Sequence, residues 1–223
     1  MNGNIDGKVI VCIGRESGSG GRRVGVALAN ALGVQCYDKE LIALAARDSG
    51  LCEEILDSYD EKTTRSFLYS LVMDTYSMGY HAAPVDIPME QKVFLAQYNA
   101  IKAIAEKGSC VIVGRCADYA LEDNPDMISV FITGDEESKI RHIMETYEYN
   151  YNNAKDYMQK TDKRRANYYN YYANKKWGAA STYDLCLNRS KLGFDGCVEA
   201  IVDFIRLRQR QKKEEAKTSS EEK

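Results

Sequence analysis

The sequence predicts an α/β fold, a five-stranded parallel sheet with helices on both faces. Three observations predict it. Five short apolar runs have strand length: Val9 to Ile13, Val34 to Tyr37, Cys110 to Val113, Met127 to Ile132 and Tyr183 to Leu187. Helical patterns separate these runs, and strands that alternate with helices are joined by parallel crossovers. The first run breaks into a glycine-rich loop holding Gly14, Gly18, Gly20 and Gly21, and an amphipathic stretch, Arg22 to Leu32, follows and stops at Gly33.

Strand, glycine loop and helix together make a phosphate cradle. Loop N–H groups point inward, glycines allow close approach, and the helix N-terminus carries a partial positive charge. The competing reading is an ordinary tight βα turn, which rarely needs more than one glycine.

After the second run, Asp38 precedes a helix predicted from Lys39 to Asp48. Asp38 is either a plain N-cap or a ligand-facing acid, because open α/β sheets bind ligands at the carboxyl ends of their strands. From Leu51 to Lys107 the pattern is helical and contains no buried strand. Helices are predicted over Glu53 to Asp57, Arg65 to Met73 and Glu90 to Glu106, with a loop from Tyr76 to Pro88. Past the third run, Gly114 and Asp118 flank Arg115 in a way that suggests a positioned cation. A helix is predicted from Asp135 to Glu145, with Asp135 or Thr133 near its cap. Tyr147 to Trp177 is rich in Tyr and Asn and carries Lys155, Lys160, Lys163, Arg164, Arg165, Lys175 and Lys176. The fifth run ends at Asn188, and Phe194 to Arg208 is a final amphipathic helix. Residues 209–223 are charged and poor in apolar residues, which predicts a frayed tail behind a single domain, 1–208.

Composition narrows the function classes. A net charge of −3 over 223 residues gives no global pull towards nucleic acid or membrane. No apolar run approaches the length of a membrane span, and Met1 to Lys8 is too polar for a secretory signal. The seven cysteines are odd in number and none has CxxC spacing, so they read as reduced, buried thiols of a cytoplasmic protein without a zinc site. His81 and His142 have no metal-ligand or triad company.

The glycine loop matches neither GxxxxGK[ST] nor GxGxxG. It matches GxxxGxG, a short-chain dehydrogenase pattern that binds NAD(P), through Gly14, Gly18 and Gly20. Tyr151/Lys155, Tyr171/Lys175 and Tyr172/Lys176 would supply that family's Tyr-xxx-Lys pair, although a segment so rich in both residues yields such pairs by chance. Residues 39–107 offer neither the further strand nor the Asn-Ala-Gly turn that such an oxidoreductase needs.

The organisation fits a nucleoside monophosphate kinase instead. The sequence resembles the cytidylate kinase family, most closely its divergent cytidylate kinase-like branch. The resembling stretches are GRESGSGGRRVGVALANALGVQCYDKELI (14–42), VIVGRCADYAL (111–121), TDKRRANYYNYY (161–172) and YDLCLNRSKLG (183–193). They follow the family's order and span almost the whole chain, most weakly over 51–106.

The resemblance implies a P-loop kinase fold with a helical acceptor-binding insert at 51–107 and a lid at 147–177. It implies ATP with Mg²⁺ as phosphoryl donor. Ser17, Gly18, Ser19, Gly20, Gly21 and Arg22 would hold the ATP phosphates. Asp38, Arg115, Asp118 and Asp184 match the acceptor-side positions, and Arg115 would clamp a monophosphate with its guanidinium fork. Arg164 and Arg165 match the lid arginines that close over the transferring group. Capping of a loop accounts equally for Asp184; for the cations of the lid the competing reading is a solvated helix face, and their placement between strands four and five favours the lid.

Two departures stand out. Gly21 occupies the place of the phosphate-loop lysine, and Val113 stands where many relatives carry an acid. Arg22 is the candidate for the missing charge, and Ser17 or Ser19 for a Mg²⁺ contact. The expected function is phosphoryl transfer to a nucleoside monophosphate, CMP or dCMP, with Arg22, Arg115, Arg164 and Arg165 catalytic. The alternatives are a nucleotide-binding protein with little turnover, a kinase for a non-nucleotide small molecule, and RNA binding through 147–177, which the acidic balance disfavours.

Overall fold

The protein's structure is a computed structural model that describes residues 5, 7–38 and 89–221. The helices expected at 39–48, 53–57 and 65–73 and the loop at 76–88 lie outside the described residues, as do Cys52 and His81.

In chain order the described elements are β1 (Ile10–Arg15), α1 (Gly21–Leu32), β2 (Gln35–Tyr37), α2 (Met89–Lys107), β3 (Cys110–Val113) and α3 (Ala117–Ala120). They continue with β4 (Met127–Thr133), α4 (Glu136–Tyr147), α5 (Tyr151–Ala173), a 3₁₀ turn at Ala180–Thr182, β5 (Leu185–Asn188) and α6 (Arg189–Glu221). The five strands form one sheet in the order β2-β3-β1-β4-β5, and every pairing is parallel. Ile10 of β1 sits between Cys110 of β3 and Met127 of β4.

β1 is apolar from Ile10 to Ile13 because both faces of that stretch are covered. Val9, Val11 and Ile13 join Val24 and Leu28 of α1 and Ile201 and Ile205 of α6. Ile10 and Cys12 join Ile101 and Ile104 of α2 and Ala117 of α3 on the other face. Each of these large side chains, buried almost completely, stabilises the fold by about 1.5–3 kcal/mol. β5 closes one edge of the sheet, so Cys186 is exposed rather than buried as its apolar neighbours suggested. The six described cysteines are all unpaired thiols.

Two segments differ from expectation. The tail predicted to fray continues α6 to Glu221, past a break at Gly193 where φ is 70°. Its Lys, Arg, Gln and Glu residues are good helix formers. Lys212 also ties it down, bonding the Pro125 carbonyl and pairing with Asp126 at 3.2 Å. The Tyr- and Asn-rich stretch is mostly the 23-residue helix α5, which starts where the Asn150 side chain accepts from the Asn153 N–H at 2.9 Å. Tyr168, Tyr169 and Tyr172 pack inward, whereas Tyr151 and Tyr171 stay exposed. Tyr172 stacks on Phe94 with ring centres 4.0 Å apart, and Tyr169 is buried beside Tyr183.

The carboxyl ends of β1, β2 and β3 carry Arg15, Tyr37 and Val113, and those of β4 and β5 carry Thr133 and Asn188. Parallel register therefore brings the carboxyl ends of all five strands to one edge of the sheet.

Candidate functional site

The glycine loop leaves β1 at Arg15 and enters α1 at Gly21. Gly18 and Gly20 have φ of 76° and 75°, a left-handed backbone that suits glycine. A side chain at Gly18 would also collide with the Lys139 carbonyl. Gly20 caps α1 without a capping side chain, and the first turn of α1 contains no acid. A helix of twelve residues thus presents an electropositive end to the loop.

Much of the loop is committed to the protein itself. Glu16 accepts from the Thr133 hydroxyl at 2.5 Å, the Gly134 N–H at 3.2 Å and the Lys139 ammonium at 2.9 Å. Lys139 is buried, which makes this a shielded ion pair. Ser19 is fully buried, and its hydroxyl donates to the Glu16 carbonyl at 2.8 Å. It therefore does not fit the Mg²⁺ contact expected of it. Ser17 is buried as well, and its N–H donates to Asp162 of α5 at 2.6 Å. Arg189, the first residue after β5, donates to the Ser19 and Gly18 carbonyls at 3.0 and 3.2 Å.

Arg22 does not turn towards the loop mouth. Its guanidinium donates to the Asp38 carboxylate at 2.8 and 2.5 Å, and the side chain remains 69% exposed. The two residues expected on the donor and acceptor sides are bonded to each other.

Next to the loop lies a cavity lined by Gly14, Arg15, Arg115, Asp118 and Arg165, with Tyr168, Tyr169 and Tyr183 forming an aromatic wall. Arg115 reaches it through an unusual turn. Gly114, Arg115 and Cys116 all have positive φ, 82°, 60° and 53°. Left-handed backbone at two successive non-glycine residues is strained, and such strain gathers at functional sites. Arg165 enters from α5, donates to the Arg15 carbonyl at 3.1 Å and lies 3.9 Å from Asp162. Burial lowers its affinity for a proton below that of an ordinary arginine. Asp118 accepts from the Tyr169 hydroxyl at 2.5 Å. Burial raises its pKa, and that hydrogen bond works in the opposite direction. Asp162 is pushed up to about 6, first by burial.

Of the expected residues, the cavity gathers Arg115, Asp118 and Arg165. Arg164 is exposed and lines a separate surface depression with Tyr149 and Lys160, because adjacent residues on a helix point in different directions. Asp184 does not line the cavity either. Its carboxylate accepts from the Ser129 N–H and hydroxyl at 2.8 and 2.9 Å, which ties the approach to β5 onto β4.

Three residues were not anticipated: Arg15, Asp162 and Arg189. An arginine directly after Gly14 at a strand's carboxyl end was the available signal for Arg15.

The model of the cytidylate kinase-like family matches residues 10–191, which includes every loop described above. The chain belongs to that family. The family and the five-stranded parallel sheet together give the α/β fold of a P-loop kinase. A crystal structure of an uncharacterized protein from Eubacterium ventriosum ATCC 27560 is 34% identical with a TM-score of 0.68, covering 89% of this chain and 99% of that one. Shikimate kinase from Bacteroides thetaiotaomicron is 14% identical with a TM-score of 0.49, covering 89% of this chain and 98% of that chain. A gluconokinase from Sinorhizobium meliloti 1021 is 14% identical with a TM-score of 0.46, covering 93% and 97%. No curated protein matches the chain. Among the described residues, no helix is long and apolar enough to cross a membrane.

Proposed function

We propose that this member of the cytidylate kinase-like family transfers the γ-phosphoryl group of Mg-ATP to an anionic small acceptor, with CMP or dCMP as that acceptor. The observation that carries this reading is the convergence of Arg15, Arg115 and Arg165 on a cavity beside the glycine loop. Planar guanidinium groups bind phosphate oxygens through paired hydrogen bonds.

In this reading the backbone of Gly18 to Gly21 and the end of α1 hold the donor phosphates. Arg115 orients the acceptor phosphate. One of its oxygens attacks the γ-phosphorus in line, the bond to the β–γ bridging oxygen breaks, and ADP leaves with the electron pair. Arg165 offsets the charge that spreads over the transferring group. No protein nucleophile is required, and no strong base either, because the acceptor phosphate is already ionised. Mg²⁺ would arrive as part of the Mg-ATP substrate. It neutralises charge on the donor.

The test is incubation with Mg-ATP and CMP, dCMP, UMP, AMP or GMP, with the diphosphates resolved by chromatography. Formation of CDP or dCDP that falls at least a hundredfold in Arg115→Ala supports the assignment. Product formation from none of the five nucleotides rejects it.

A second reading rests on the Asp162 carboxylate bonded to the loop at the Ser17 N–H. It takes the chain as a nucleotide-binding protein with little turnover, and ATP binding without any diphosphate product would favour it.

A further inference from the structure

A lysine at the start of the first helix normally supplies the cation of a phosphate loop, and Gly21 stands there in this chain. We propose that Arg15 supplies that cation from below the loop, and that Gly21 is a glycine because the stem of Arg15 fills the space its side chain would need. The proposal deepens the kinase reading and rests on it.

Three observations carry it. A Cβ built at Gly21 would lie 2.5 Å from Cβ and 3.0 Å from Cγ of Arg15. Real Cβ atoms do not approach so closely, so residues 15 and 21 compete for one volume and only one of them can carry a long side chain there.

From Gly21 the Arg15 side chain runs to Gly114, where a Cβ would collide with the guanidinium. The cation therefore ends between the loop and the acceptor cavity, on the wall it shares with Arg115 and Arg165. A phosphoryl group passing from a donor on the loop to an acceptor in the cavity crosses this point.

The charge there is under-compensated. Arg15 has its pKa lowered to about 9, first by burial and then by Arg165 and Arg115, while Asp38 and Asp162 act the other way. A bound anion would relieve that crowding. Arg22, the arginine directly after Gly21, already donates to Asp38 and is largely exposed.

The full chain tests this with two measurements: ATP affinity by titration calorimetry, and diphosphate formation from Mg-ATP and CMP. Arg15→Met keeps the apolar stem along Gly21 and removes the charge. It is expected to weaken ATP binding at least tenfold and to slow transfer at least a hundredfold. The swap R15G/G21K puts the cation back from the usual position. It is expected to recover at least tenfold in both quantities over Arg15→Gly. ATP affinity that is unchanged in Arg15→Met, or a swap no better than Arg15→Gly, overturns the proposal. Thermal melting accompanies each variant, and if Arg15→Met does not fold, Arg15→Gln is read by the same two numbers. A wild-type chain that binds ATP but makes no product defeats the kinase reading alone, and ATP affinity then decides the role of Arg15. A wild-type chain that does not bind ATP defeats both.

Discussion

The glycine loop and the arginine cavity share a border at Arg15 but are built on opposite principles. In the loop nearly every polar side chain is spent on the protein: Glu16 on Lys139 and Thr133, Ser19 on the Glu16 carbonyl, Arg22 on Asp38. The loop offers a fixed backbone. In the cavity, three guanidinium groups crowd together, and burial and mutual repulsion lower the pKa of Arg15 to about 9. The cavity offers charge. Phosphoryl transfer needs both, a rigid cradle and concentrated positive charge. Here the backbone comes from the loop after β1, and the cations come from the end of β1, the turn after β3 and the helix α5.

The sharpest way to break this contrast is on α5, where two neighbouring arginines face different surroundings. Arg165→Ala is expected to slow diphosphate formation by about a thousandfold, while Arg164→Ala stays within about threefold of wild type. Steady-state rates with Mg-ATP and CMP decide it, and equal losses in both variants would dissolve the boundary drawn around the cavity.

On the loop side, Glu16→Gln removes the charge facing the buried Lys139 while keeping a similar shape. The loss is expected in stability, about 2 kcal/mol by chemical denaturation. An unchanged denaturation midpoint would mean that the loop is not held by this pair.

The smallest effect is expected at Asp184, outside both regions. Asp184→Ala removes two hydrogen bonds from Ser129 and should cost about 1 kcal/mol. The KM for the acceptor should stay unchanged. A raised KM would return Asp184 to the acceptor site.

The sheet was legible because each strand is a compact apolar run, and Cys110 to Val113 was bounded correctly at both ends. The long helix α5 was harder to read. Its buried stripe mixes Thr161 and Tyr169 with Ala154, Met158 and Ala173, and tyrosine reads equally well as a surface residue. In the candidate site, Arg115 could be found because a strand end and a glycine frame it. Arg22 was misplaced because its distance from the loop is clear in sequence, whereas the pull of Asp38 is visible only in space. Asp184 was misplaced for a similar reason: position along a strand does not tell which neighbour a carboxylate meets. Arg15 was missed although Gly21 hinted at it, since a glycine in place of a long side chain often records a neighbour that needs the room.

Arg189 braces the carbonyls of Gly18 and Ser19 across 171 and 170 residues of chain, and Cys197, Ile201 and Ile205 complete the core behind β1. A protein is synthesised from its N-terminus, so the glycine loop leaves the ribosome long before the residues that steady it. The nascent chain carries an unbraced loop until Arg189 and the residues up to Ile205 have been translated and released. The loop's bracing is therefore acquired long after the loop itself is made, and a chain truncated before Arg189 would have the loop's sequence but lack this support.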